Sequence, residues 1–137
     1  MEESTPTVNT GLRGVTVAST RISDVNGAEG KLIYRGYLVK DLAESATFEE
    51  TTHLLLYEAL PTDEQLAAFK SLLTSERSIP TALLDALKTR PENAIPMDIL
   101  QAGVAMLAHS DREARDPSQD AFMNMGIRLI AKMPVIL

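Results

Sequence analysis

From Val39 onward apolar residues recur every three or four positions, the spacing that lines one face of an α-helix. The spacing predicts helices over about 39–45, 48–60, 63–75, 80–89, 96–109 and 118–137. Two of them announce their starts. Thr47-Phe-Glu-Glu50 and Thr62-Asp-Glu-Gln65 both match the capping box, in which a Thr hydroxyl accepts from an orphan backbone N–H and the acidic or amide side chain reaches back. Leu55, Leu56 and Leu60 are the expected inward residues of the 48–60 helix, which Leu60-Pro61 should end. Leu66, Phe69, Leu72 and Leu73 form the stripe of the next helix. Pro80 suits the first turn of a fourth, with Leu83, Leu84 and Leu87 as its buried side.

The chain before Val39 carries a different rhythm. Val15, Val17 and Ile22 are interleaved with Thr and Ser, and Leu32-Ile-Tyr34 forms a second short apolar run. Asn26-Gly27 lies between them and is the favoured pair for a two-residue hairpin turn. A β-arm over 13–37 follows, preceded by a flexible leader, residues 1–10. In the stretch Gly30-Lys-Leu-Ile-Tyr-Arg-Gly-Tyr37, the central residues are the second strand and Gly36 lets the chain turn into the first helix. Arg35 is expected in a structural ion pair.

The last two helices are unusually apolar. Between Pro96 and His109 only Asp98 and Gln101 are polar; Met97, Leu100, Val104 and Leu107 make one face, and Ile99, Ala102, Gly103 and Met106 another. Such a helix has to be surrounded, in the centre of a large fold or at a subunit interface. Gly103 lets a neighbouring helix come close. The helix from Ser118 runs through Phe122, Met125, Leu129, Ile130 and Met133 to Pro134-Val-Ile-Leu137, with no Gly cap and no charge after Lys132. The missing stop signals predict a chain cut short relative to its functional unit.

Composition narrows the function. Hydrophobic residues are 45% and charged ones 23% of the 137, an ordinary globular balance. Nineteen acidic against 13 basic residues give a net charge of −6, which disfavours phosphate backbones, and 4% aromatics without Trp leave few stacking platforms. Nucleic acid is an unfavoured partner, and so is a DNA-binding helical domain as a reading. There is no cysteine, so disulfides and Cys-ligated zinc are excluded. The opening MEESTPTVNT is unlike a secretory signal or an Arg-rich transit peptide, and no apolar run approaches a membrane span. The expected location is cytoplasmic.

Candidate chemistry is sparse. His53 and His109 are the only histidines and have no ligand-like spacing. His53 falls mid-helix and His109 at a helix C-terminus, where the dipole favours a cation; both are expected to be structural. Glu49, Glu50, Asp63 and Glu64 are first-turn acids that offset the helix dipole. Asp111-Arg-Glu-Ala-Arg-Asp116 is mixed in sign and is expected as a solvated loop. No glycine-rich phosphate loop occurs. The expectation is no catalytic, cofactor-binding or metal residue within the chain.

Gly11-Leu-Arg-Gly-Val15, Ile22-Ser-Asp-Val-Asn-Gly27 and Leu32-Ile-Tyr-Arg-Gly-Tyr37 follow one another as at the start of citrate synthases. Asp41-Leu-Ala43, Thr47-Phe-Glu-Glu50, Leu54-Leu-Leu-Tyr57, Leu60-Pro61, Pro96-Met97 and Leu129-Ile-Ala-Lys-Met-Pro134 continue the order. The sequence therefore resembles the citrate synthase family. Ile95 departs from its pattern, which has His before the Pro-Met pair.

The resemblance implies a mainly α fold, the N-terminal part of a citrate synthase-like large domain over 11–137. It implies an acyltransferase that condenses acetyl-CoA or propionyl-CoA with oxaloacetate to citrate or 2-methylcitrate and CoA, and the motifs leave that choice open. CoA would be a co-substrate of the complete enzyme, with no cofactor bound by this chain. Helices 96–109 and 118–137 would be interface helices of a homodimer or larger homo-oligomer, a C-terminal portion would be a further partner, and Pro134 would lie inside a continuing helix. The family's catalytic histidines and aspartate have no matching positions here, so the 137 residues are expected to be inactive alone. The alternative is a non-catalytic helical dimerisation module derived from the same fold.

Overall fold

The computed structural model describes residues 11, 15–16 and 18–137. The expected leader, and Val17 in the first strand signal, lie outside the described residues. Chain contacts gather into two compact units, Met1–Ser45 and Ala46–Leu137.

In the first unit three short antiparallel strands, β1 (Ser23–Asn26), β2 (Lys31–Tyr34) and β3 (Tyr37–Leu38), lie in that order and lead directly into α1 (Val39–Ser45). Three sequence expectations change here. Asn26-Gly27 is not a two-residue turn: Asn26 pairs with Lys31, so Gly27–Gly30 forms a four-residue connection. Its geometry comes from the Asn26 side chain, which accepts the Glu29 N–H at 3.1 Å, and from Gly30, at φ +65. The two-residue turn is Arg35-Gly36, with φ 47 and 90, between the paired Tyr34 and Tyr37. Positive φ at both central positions matches the right-handed twist of the flanking strands. Gly36 thus turns the chain into a third strand and not into the helix. Val15 and Ile22 also lie outside any strand.

The second unit contains five helices: α2 (Phe48–Tyr57), α3 (Asp63–Ser75), α4 (Thr81–Lys88), α5 (Pro96–Leu107) and α6 (Gln119–Ile136). Both capping boxes form. Thr47 and Thr62 accept from the N–H groups of Glu50 and Gln65, whose side chains accept in return from the cap N–H groups at 2.7 and 2.9 Å. The second helix stops at Tyr57, short of Leu60, because Glu58 takes the left-handed conformation at φ 67. Pro80 is the residue before α4, not part of its first turn; its carbonyl accepts from Leu83 and Leu84. His109 lies just beyond the end of α5.

Helix α6 is shared by two apolar cores. On one side Ile127 and Ala131, one turn apart, pack with Phe69 and Leu73 of α3 and with Leu56 of α2. On the other, Ile136 and Leu129 join Leu83 of α4 and Leu107, Leu100 and Val104 of α5. Leu72 and Leu84, expected to be inward, are exposed. Each follows a turn direction about 100° off its buried neighbour, Leu73 or Leu83, and only one of each pair can face α6 or α5. Gly103 is buried where α5 meets α6, and a Cβ there would stand 2.6 Å from Ile136 Cγ2.

Candidate functional site

Helix α6 carries two cations one turn apart, Arg128 and Lys132, and each draws in a segment distant in sequence. Arg128 is only 7% exposed. Its Nε and Nη2 donate to Asp111 at 2.8 and 2.6 Å in a bidentate pair, and Nη1 stands 2.8 Å from the Glu113 carboxylate. Glu113 Oε2 makes no hydrogen bond, so that contact is ionic without hydrogen-bond geometry. The planar guanidinium suits this task, because its donors match a carboxylate edge. The Arg128 side chain holds the Asp111 carboxyl below its usual range, chiefly through the hydrogen bonds, with burial opposing. Arg128 is in turn held more firmly charged by Asp111, again against burial.

Asp111–Asp116 is a loop between α5 and α6, as its mixed charges suggest, with Arg112, Ala114, Arg115 and Asp116 exposed, but it is not solvated throughout. Asp111 and Glu113 are half-buried and anchor the α5–α6 connection to α6. Asp111 also accepts the Glu113 N–H at 2.9 Å within the loop, and Glu113 accepts from Asn124 of α6 at 3.3 Å, a further tie to that helix. Lys132 reaches the end of α3, where its ammonium donates to the backbone carbonyl of Glu76 and stands 3.7 Å from that residue's carboxylate. Between these two ties lies a cavity of about 340 Å³, with Ile79, Pro80, Leu107 and Leu129 as its apolar wall.

The histidines sit elsewhere. His53 is buried, 4.6 Å from the Tyr57 ring and 5.7 Å edge-on to Phe69. Its Nδ1 lies 2.9 Å from the Ala59 carbonyl, an acceptor, which assigns the proton to Nδ1 and ties down the chain after Glu58. His109 borders a second hollow with Arg112 and Arg115. The two histidines are not brought together. Arg35 donates its backbone N–H to Ile22 at 2.9 Å within the first unit. Ile95 is the residue before Pro96 at the start of α5 and is 61% exposed. Among the described residues no three His, Cys, Asp or Glu side chains stand close enough to share a metal ion, and no helix is long and apolar enough to cross a membrane.

Sequence reasoning missed the Arg128–Asp111–Glu113 cluster. The available signal was Arg128 itself, a lone cation on an otherwise apolar stretch, Gly126 to Ile130. A charge there needs a partner, though spacing alone does not name it.

A mainly helical chain with an antiparallel strand arm and α6 as its shared spine defines the class. The family model for the citrate synthase C-terminal domain matches residues 11–137. The chain belongs to the citrate synthase family. It is 41% identical over 137 residues to a 2-methylcitrate synthase of Shewanella oneidensis, and 35% identical over 136 residues to a citrate synthase of Mycolicibacterium smegmatis. It spans 36% of the length of each, and 100% and 99% of this chain are covered. The fold superposes on a Thermoplasma acidophilum citrate synthase, solved as a ternary complex with carboxymethyl coenzyme A and oxaloacetate, with a TM-score of 0.83 at 28% identity. That match covers 94% of this chain and 35% of the other. Citrate synthase from Thermotoga maritima gives a TM-score of 0.80 at 32% identity, over 95% of this chain and 33% of that one.

Proposed function

We propose that the chain acts as the N-terminal part of a citrate synthase-type acyltransferase that joins acetyl-CoA or propionyl-CoA to oxaloacetate. In this reading it supplies scaffold and subunit-interface helices, while the groups that do the chemistry lie outside these 137 residues. The observation that carries it is the fold match along almost the whole chain to an enzyme solved with a coenzyme A analogue and oxaloacetate. In the complete enzyme, by family resemblance, a carboxylate takes a proton from the carbon next to the thioester carbonyl (the methyl group of acetyl-CoA) and a histidine stabilises the enol. A second histidine polarises the oxo-acid carbonyl, and the thioester is then hydrolysed.

The interface role draws support from the outward side of the last two helices. Met97, Met106, Phe122 and Val135 are all exposed, although each is apolar. Large apolar side chains left in water on two helices invite a covering partner, and a second copy through α5 and α6 is the proposed occupant. A cytoplasmic location fits the same reading.

A chimera tests it directly. The 137 residues replace the matching part of the Shewanella oneidensis 2-methylcitrate synthase, and CoA release is followed with each acyl-CoA. Retained turnover is expected, together with none from the chain alone. A folded, dimeric but inactive chimera would favour the non-catalytic module, and robust turnover by the chain alone would overturn the placement of catalysis outside it.

A further inference from the structure

Asn26-Gly27 is the one Asn-Gly pair in the sequence, and both residues are exposed at the head of the connection between β1 and β2. Three features meet there. The Gly27 N–H makes no hydrogen bond to a described residue. A side chain on residue 27 would hinder approach to that nitrogen, and glycine has none. The Asn26 amide oxygen accepts the Glu29 N–H at 3.1 Å, a donor placed where negative charge develops when a nucleophile adds to that carbonyl. The other described asparagines differ. The nitrogen after Asn93 donates to the Pro91 carbonyl at 3.1 Å. Asn124 lies inside α6, is followed by Met125 and gives its side-chain N–H to Glu113.

We propose that Asn26 is a site of spontaneous deamidation, with water as the co-reactant. The Gly27 nitrogen gives up its proton to solvent and bonds to Asn26 Cγ; the Cγ–Nδ2 bond breaks, ammonia leaves and a cyclic succinimide remains. Water then opens the ring at either carbonyl. Breaking the Cγ–N bond gives aspartate at position 26, and breaking the backbone C–N bond gives isoaspartate, with the side-chain carbons now in the main chain. Water enters, ammonia leaves, and nothing is oxidised or reduced. The two products have opposite consequences. The aspartate keeps an oxygen for the Glu29 N–H and sets a carboxylate opposite Lys31, its strand partner. Isoaspartate lengthens the backbone before Gly27 and disturbs the pairing with Lys31. The site lies in the first unit and is independent of the proposed acyl transfer.

Incubation of the full chain in mildly alkaline buffer, followed by ion-exchange chromatography and peptide mapping, tests it. A more acidic species is expected to accumulate, with aspartate and isoaspartate at position 26 and with Asn93 and Asn124 intact. Gly27→Ala is expected to lose most of this conversion at an unchanged melting temperature, since a Cβ at position 27 meets nothing within 4 Å. Asn26→Asp, the aspartate product made directly, should melt as the parent does. The folded chain should convert at a rate close to that of the chain unfolded in urea. Conversion seen only in urea, equal conversion at Asn93, or an undiminished rate in Gly27→Ala would overturn the proposal.

Discussion

A guanidinium taken out of water is tolerable only with anions at close range, and Arg128 has Asp111 in a bidentate pair and Glu113 beside it. Removing the cation strands two half-buried carboxylates. Arg128→Ala is expected to cost about 3–5 kcal/mol, read from urea unfolding. Arg128→Lys should recover part of that, because an ammonium cannot reproduce the fork. The pH dependence follows from Asp111. Its carboxyl is held below the usual range in the fold, so the folded state binds its proton less readily than the unfolded chain. That stabilisation is complete above the ordinary carboxylate range and is lost as pH falls through the lowered value. Urea midpoints measured across the acid range should fall more steeply for the parent than for Asp111→Asn. Equal slopes would remove Asp111 from the acid response.

At the scale of the element, caps were legible and crossings were not. Thr47-Phe-Glu-Glu50 and Thr62-Asp-Glu-Gln65 form the hydrogen bonds their spacing implies, since a capping box is closed within four residues. Thr62→Ala is expected to lower stability by about 1 kcal/mol, seen as a shifted denaturant midpoint with unchanged slope. Where α5 and α6 cross, Gly103 leaves no room for a methyl group against Ile136. Gly103→Ala should cost about 1–3 kcal/mol. In Ile136→Ala the same change should cost less, so the double-mutant cycle should be non-additive; additivity would show that the contact is not the cause. The hairpin turns illustrate the opposite case. Asn26-Gly27 has the composition of a two-residue turn, yet strand register assigns that turn to Arg35-Gly36. Register is a property of the paired strands, and local sequence only biases it.

At the scale of the whole molecule, helices α5 and α6 present large apolar residues outward, Met97 at 66% and Phe122 at 61% exposure. If a second copy covers them, Met97→Glu and Phe122→Glu should each weaken self-association about tenfold or more, measured by sedimentation equilibrium. No change in association would place the interface elsewhere. The sequence by itself determined the helical class, the starts of α2 and α3, the apolar character of α5 and α6 and the family, because all of these are written in local spacing and motif order. Tertiary structure alone decided which strands pair at which register, that Leu72 and Leu84 face outward, and that Asp111 and Glu113 close on Arg128. An ion pair spanning 17 residues depends on where two helices and their connection come to rest in space, and periodicity along a chain carries no record of that distance.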